Sequence, residues 1–349
     1  MLSQPLYKTF QRYRTLRSHT IRTLPIAILM PHSACNCQCV MCDIWKGNRN
    51  LKQLTEEDIQ NVLVTLKKLG TVQVVMSGGE ALLNPNFFKF CEILKREKIE
   101  VTLLSTGVTL ARNADRIYSW VHDVIISLDG DPETHDRIRN IPNAFAKLRD
   151  GVKALKEIDP NYKVTGRSVI HRLNYKVWPK LIETAQEMGL DQVSFLPADV
   201  SSHAFNREVL WAEPRQHEIL IMQDELPELQ KIIDEIILKY KNGSNNFIAE
   251  SALKLQNIHD YYGAFYGLND FPFKKCNAPW VSTVIEADGT VRPCFFHEAM
   301  GNIHSESLEH ILNSDKSISW RKHLDMDENE TCRKCVCYLN LPPGMNPIG

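Results

Sequence analysis

Between residues 26 and 200, strand-length apolar runs alternate with helix-period segments, and this alternation restricts the fold more than any other feature of the chain. Runs at 26–30, 72–76, 101–105, 124–128, 164–170 and 192–196 read as six strands. Thr55, with Asp58 in the acceptor position of a capping box, marks the start of a first helix. Further helices are expected at about 86–95, 113–120, 144–158 and 177–188. Such repetition needs right-handed crossovers between parallel strands, which leaves a six-stranded partial barrel or a doubly wound sheet. Both architectures place chemistry at the carboxyl ends of the strands.

The residues found there are suited to chemistry. Cys35, Cys39 and Cys42 follow the first strand, and Ser77-Gly78-Gly79-Glu80 follows the second. Ser105-Thr106-Gly107 follows the third, and Ser127-Leu128-Asp129-Gly130 closes the fourth. Ordinary turn preferences explain one or two such clusters, not four in succession.

After residue 198 the alternation stops. Helical segments are expected near 214–226 and 229–240, with a loop at Asn242-Gly243-Ser244-Asn245-Asn246. A second unit starts at Cys276, with a hairpin closed around Asp288-Gly289 and a helix near 307–313. The expected division is a basic leader over 1–23, an α/β core over 24–212, a helical linker over 213–275 and a cysteine-rich unit over 276–349.

Charge and hydropathy exclude several roles. Forty-one Lys and Arg against 42 Asp and Glu leave no global field for nucleic acid or an anionic membrane. The apolar run at 24–31 is far shorter than the roughly 20 residues needed to cross a bilayer, so no membrane span is expected. His32-Ser33-Ala34 lacks the flanks of a signal cleavage site, and the chain reads as cytoplasmic. Lys8, Arg12, Arg14, Arg17 and Arg22 precede any acid, a run read as a solvated helix across the barrel.

The ten cysteines form two groups and a stray. Clustered thiols in a reducing compartment point to metal before disulfide. Cys35-x-x-x-Cys39-x-x-Cys42 offers three soft thiolates in one loop, a donor set that suits iron and sulfide better than a hard cation. Zinc would ask for a fourth ligand nearby, and Cys37 alternates with its neighbours without a clear part. Cys276, Cys294, Cys332 and Cys335 form the second set, for which a structural zinc site is the alternative. Cys337 reads as a spare thiol or alternative ligand, and Cys91, among Phe87, Phe88 and Phe90, as a small core residue.

The cysteine triplet followed one strand later by Gly-Gly-Glu resembles the radical S-adenosylmethionine (SAM) enzymes, over roughly residues 24–200. The resemblance implies a partial (β/α)6 TIM-type barrel with a small cysteine-rich C-terminal extension. It implies a 4Fe-4S cluster on Cys35, Cys39 and Cys42, with one open iron that chelates SAM. One electron from the reduced cluster then cleaves SAM to a 5′-deoxyadenosyl radical. Gly78 and Gly79 would let the backbone approach the ligand, and Glu80 would accept from the SAM ammonium. Thr106, Ser127 and Asp129 would meet the ribose or the methionine moiety, and Arg167 the SAM carboxylate. Met41, where the family often has an aromatic residue, and Leu196 would pack against the adenine. Ala81 stands where proline is common.

The second unit resembles the auxiliary-cluster extension called SPASM in its full form and twitch in its shorter one. Too few cysteines follow Cys335 for the full form, so one auxiliary 4Fe-4S cluster on Cys276, Cys294, Cys332 and Cys335 is expected. The implied activity is hydrogen abstraction from a small metabolite or cofactor precursor, in an oxidation or bond formation assisted by that cluster. A peptide or protein substrate is the alternative, and a non-catalytic iron–sulfur or zinc protein the alternative of another class. A low-potential donor such as flavodoxin or ferredoxin is the implied partner. The His135, Asp136, Arg137 and Arg139 segment is read as shaping a loop and helix start; Asp199, His203 and Arg207 follow the sixth strand, where substrate could reach, and are read as surface ahead of site.

Overall fold

The computed structural model of the chain describes residues 4–240 and 246–347. The expected loop at Asn242, Gly243, Ser244 and Asn245 lies outside the described residues. Six parallel strands appear where the apolar runs predict them: β1 Ile26–Leu29, β2 Gln73–Met76, β3 Glu100–Ser105, β4 Asp123–Ser127, β5 Val164–Ile170 and β6 Gln192–Pro197. Helix α1 (Gln4–Ser18) precedes β1, and α2 (Glu56–Lys68), α3 (Phe87–Arg96) and α4 (Ala114–Trp120) follow β1, β2 and β3. Two helices, α5 (Pro132–Arg139) and α6 (Ala144–Ile158), lie between β4 and β5, and α7 (Trp178–Glu187) leads to β6. The capping box at the start of α2 is present as expected, with Asp58 N donating to Thr55 Oγ1 at 3.2 Å and Thr55 N to Asp58 Oδ2 at 2.8 Å.

Strand alternation decides the packing. Ala27, Leu29, Val74, Met76, Val101, Leu103, Val124 and Ile126 are buried in one core with the apolar stripes of α2 and α3, including Ile59, Leu66, Phe87 and Leu94. Each such side chain contributes about 1.5–3 kcal/mol by leaving water, which is what holds the helices to the sheet. Ile26 and Ile28 face the other way, into a smaller cluster with Trp280, Val281 and Leu341.

Beyond β6 the chain is more helical than its sequence suggests. Helix α8 (Glu213–His217) is short, α9 (Leu226–Tyr240) is as expected, and α10 (Ala252–Phe265) was not foreseen. Its Tyr262 hydroxyl accepts from Ala198 N at 2.9 Å and donates to Ile170 O, which fixes α10 against the ends of β5 and β6.

The C-terminal unit extends the sheet. After α11 (Ala278–Val281), β7 (Ser282–Ile285) pairs in parallel with β1, in register Ile26 to Ser282 through Leu29 to Ile285. Strands β8 (Thr290–Arg292) and β9 (Gly301–Asn302) add antiparallel, giving the order β6-β5-β4-β3-β2-β1-β7-β8-β9. Helices α12 (Leu308–Asn313), α13 (Asp315–His323) and α14 (Glu330–Arg333) complete the unit. No helix among the described residues is long and apolar enough to cross a membrane.

Candidate active site

The loop after β1 carries Cys35, Cys37, Cys39 and Cys42, and it is held by neighbours on every side. Cys35 N donates to Asn48 Oδ1 at 3.0 Å, and Asn48 Nδ2 returns a bond to Cys35 O at 2.9 Å. Gln38 N and Val40 N each donate, at 3.0 Å, to Arg139 O and Ile138 O at the end of α5. Glu80 N donates to Ala34 O at 2.9 Å.

Two buried ion pairs press on this loop. Arg139 Nη2 lies 2.6 Å from Asp129 Oδ2, and its Nη1 donates to Cys39 Sγ at 3.4 Å. Against the cost of burial, Asp129 and Cys39 keep the Arg139 guanidinium charged. Arg207 pairs with Asp199, donates to Met41 O at 3.5 Å and stacks on Trp211, whose Nε1 donates to Asp43 Oδ2 at 2.8 Å. Sequence reading took Asp199 and Arg207 for surface; both are buried. Nothing local in the sequence signals either pair, since the Asp199–Arg207 partners sit eight residues apart in irregular chain and the Asp129–Arg139 pair joins a strand end to the far end of α5.

The thiols answer to these surroundings. The Cys39 thiol is lowered to about 6, first by the hydrogen bond from Cys37 and then by Arg139, against its burial. Burial pushes Cys42 up to about 12. A buried thiol of that kind ionises at neutral pH when a soft metal replaces its proton. Among the described residues no three His, Cys, Asp or Glu side chains gather at the spacing of a single metal ion. Three soft thiolates carried by one loop are a donor set that suits iron and sulfide.

Gly78, Gly79 and Glu80 lock the second strand end to the cysteine loop. Gly78 has φ +112°, and a Cβ on Gly79 would lie 2.2 Å from Ala34 O, so the close approach that glycine permits is to the cysteine loop itself. Glu80 is fully buried. It accepts from Leu82 N, Ser105 Oγ, Thr106 N and Thr106 Oγ1 at 3.2, 2.9, 2.9 and 2.7 Å. Burial raises its pKa in spite of these donors, and it has no ion-pair partner among the described residues. A buried carboxylate without a countercharge fits an incoming ammonium group.

The other expected contacts fall unevenly. Thr106 Oγ1 also lies 2.9 Å from Asn36 Oδ1, tying the third strand end to the cysteine loop. Ser127, Leu196 and Met41 are half-buried at their strand or loop ends, and Arg167 Nε donates to Ser194 Oγ at 3.2 Å. Asp129 has no exposure, and its carboxylate is paired with Arg139. A cavity of about 430 Å³ is lined by Met30, His32, Gly79, Arg207, Glu286 and Phe295 among others, with Gly79 its one lining residue from the Gly-Gly-Glu turn. The two flanks of the cysteine segment, Gly79 and the residues after β7 thus meet at one space.

A second cavity, of about 410 Å³, is lined by Cys276, Cys294, Cys332, Cys335 and Cys337. Burial raises Cys294 to about 11 and Cys332 to about 12. His297 Nε2 lies 3.3 Å from Cys332 Sγ, with its ring against Trp320, and Cys335 Sγ donates to Cys337 O at 3.2 Å. Lys274 also lines this cavity, and burial lowers its pKa. Five thiols around one cavity match a soft-metal cluster. His297 was not singled out from the sequence, because it belongs to neither cysteine spacing.

Comparison with known proteins bears on both cavities. Residues 29–195 match the family described as Radical SAM superfamily, and residues 276–336 match SPASM, an iron–sulfur cluster-binding domain. The chain is 25% identical over 305 residues to a PqqA peptide cyclase of Bradyrhizobium diazoefficiens, spanning 85% of this chain and 72% of that protein. It is 25% identical over 161 residues to an AdoMet-dependent heme synthase of Methanosarcina barkeri, spanning 45% of this chain and 46% of that protein. Its fold is similar to SuiB of Streptococcus suis bound to the precursor peptide SuiA, with a TM-score of 0.65 and 16% identity over 97% of this chain and 77% of that one. It is also similar to anSMEcpe with bound AdoMet and peptide, with a TM-score of 0.56 and 18% identity over 90% and 89% of the two chains.

Proposed function

We propose that this chain, which belongs to the radical SAM superfamily and ends in a SPASM iron–sulfur cluster-binding domain, abstracts hydrogen from an organic substrate seated in the cavity of about 430 Å³. When bound, a 4Fe-4S cluster and SAM supply a one-electron cleavage that yields a hydrogen-abstracting radical. Cys35, Cys39 and Cys42 would hold that cluster, and Cys276, Cys294, Cys332 and Cys335 the auxiliary one, with Cys337 beside them. Glu80 would neutralise the SAM ammonium and Arg167 its carboxylate, while Thr106 and Ser127 stand at strand ends suited to its hydroxyl groups. Met41 and Leu196 would flank the adenine. The walls of the cavity would exclude water and orient the carbon that loses hydrogen.

The observation that carries this reading is the junction of the cysteine loop with the Gly-Gly-Glu turn, where Glu80 N donates to Ala34 O and no Cβ fits on Gly79. The test is anaerobic reconstitution with iron and sulfide, reduction in the presence of SAM, and quantification of 5′-deoxyadenosine. The expected result is deoxyadenosine from the wild type and none from the triple variant Cys35→Ala, Cys39→Ala, Cys42→Ala. An iron-loaded wild type that leaves SAM intact would refute the reading and favour a non-catalytic iron–sulfur protein.

For the substrate we favour a small metabolite or cofactor precursor, because a space of about 430 Å³ is of the size that encloses one small molecule. The relative named as a heme synthase is in keeping with that class. A peptide is the second reading, supported by the peptide cyclase relative, which this chain matches over most of its length. The auxiliary cluster would take the second electron of an oxidation or bond formation, and a low-potential carrier such as flavodoxin or ferredoxin would supply the first.

A further inference from the structure

Helix α1 is built inside out. Its buried side carries Arg12 and Thr15, and Arg12 Nη1 donates to Pro342 O and Met345 O at 3.0 and 2.6 Å. Its outward side carries Leu6, Tyr7, Phe10 and Tyr13, which are 47 to 57% exposed. At 100° per residue these four fall on one arc together with Arg14 and Arg17. The two guanidiniums lie over the rings beside them, Arg14 at 5.8 Å from Phe10 and Arg17 at 5.3 Å from Tyr13. No acid precedes Asp43 in the sequence. A solvated helix would show the reverse arrangement, with its apolar stripe inward.

The helix also borders the second cysteine cavity. Leu16 packs into the cluster that contains Trp280, Leu324 and Met326, and Leu324 and Met326 line that cavity. Beyond the end of α1, His19 accepts from Trp280 Nε1 at 3.2 Å, and Pro279, next to Trp280, is another wall of the cavity. The inner side of α1 is therefore joined, through Leu16 and the Trp280 cluster, to a wall of the thiol-lined cavity, while the basic aromatic face stays open to solvent.

We propose that the outward face of α1 docks an acidic one-electron carrier protein beside the cavity that holds the auxiliary cluster. The carrier exchanges one electron with that cluster, so that one partner is oxidised as the other is reduced and no bond is made or broken. The proposal rests on the radical SAM reading above for the presence of the cluster. Tyr, Phe and Arg are the side chains that dominate the centres of protein interfaces. A cationic face without acids selects an anionic partner, and the adjoining cavity selects one that carries electrons over a lipid surface.

The test measures binding of purified flavodoxin and ferredoxin to the full-length holoenzyme by biolayer interferometry at low and high salt. For at least one carrier, binding that weakens with salt is expected. Arg14→Glu/Arg17→Glu and Phe10→Ser/Tyr13→Ser should each weaken it roughly tenfold or more, while Lys231→Glu, an exposed charge on α9, leaves it unchanged. Circular dichroism of each variant checks that the fold is kept. Deoxyadenosine formation driven by dithionite, which needs no docking, should be equal in all variants. If dithionite yields none even in the wild type, the enzymatic reading fails while the binding arm still judges the surface. Absence of carrier binding, or binding indifferent to all four α1 substitutions, overturns the proposal. So does binding to phosphatidylcholine vesicles containing about one-quarter phosphatidylglycerol that the α1 variants abolish while carrier binding persists. A dimer in sedimentation that Phe10→Ser/Tyr13→Ser dissolves, again without loss of carrier binding, overturns it as well.

Discussion

In the first cysteine site all ligands come from one loop, and two buried arginines press against it. In the second they come from separate segments of the C-terminal unit and face a lysine and a histidine. The first loop is fixed by bonds that owe nothing to metal: Asn48, Arg139, Ile138 and Glu80 all hold its backbone. The second has Cys276 before α11, Cys294 after β8 and Cys332, Cys335 and Cys337 at and beyond α14, and its bonds run between these distant segments: Asn277 bonds Leu339 and Leu341, Lys274 Nζ donates to Arg333 O, and His297 lies against Cys332. The difference teaches that the first site rests on one braced loop, while the second rests on bonds between segments far apart in the chain, which bound metal would reinforce.

Exchanging ligands should produce the largest effects and separate the two sites. Cys39→Ala is expected to remove about half of the bound iron and all deoxyadenosine formation. Cys332→Ala should remove a similar share of iron yet leave SAM cleavage in place, measured by iron assay and chromatography. Equal loss of SAM cleavage in both variants would break the distinction.

Next in size is the support behind the first loop. Arg139→Met leaves Asp129 fully buried without its countercharge, so that burial favours its protonated form still more, and should destabilise the fold by about 3–5 kcal/mol in urea titrations. Adding Asp129→Asn should recover a large part of that loss. In both variants the first cluster, without a cation at Cys39, should reduce at a lower potential in an EPR-monitored titration. No second-site variant at Lys274 should move that signal.

Gly79→Ala follows, because its Cβ would fall 2.2 Å from Ala34 O. About 1–3 kcal/mol of stability should be lost, with lower iron incorporation at the first site only. Iron removal sharpens the contrast further: in hydrogen exchange of the chelated protein, 35–48 should keep its protection while 329–338 loses it.

The smallest effect is in thiol reactivity. In the iron-free protein, alkylation of Cys294 and Cys332, raised to about 11 and 12, should grow about tenfold per pH unit between neutral pH and about 10. Cys39, lowered to about 6, is already a thiolate at neutral pH and gains little over that range. Mass spectrometry after a short iodoacetamide pulse reads both slopes.

The division between legible and hidden features follows the range of the interactions. Strand positions, the Thr55 capping box and both sets of cysteines are local patterns, and they stand in the structure where the sequence puts them. Asp129 at the end of β4 is legible as a polar strand end, but its pairing with Arg139 of the following helix is not, because no spacing rule reports it. Arg207 and Asp199 looked like surface for the same reason: their burial depends on Trp211 and on the loop after β1. Helix α10 lacks a strong amphipathic period, and its place is decided by tyrosines that bond to the ends of β5 and β6.

The pairing of β7 along the whole of β1 has one more result. The strand that delivers Cys35 and the strand that follows Cys276 stand a single ladder spacing apart, about 4.8 Å. The two cysteine-bearing parts of the chain are therefore stitched into one sheet by backbone bonds, and neither can swing away without breaking that ladder.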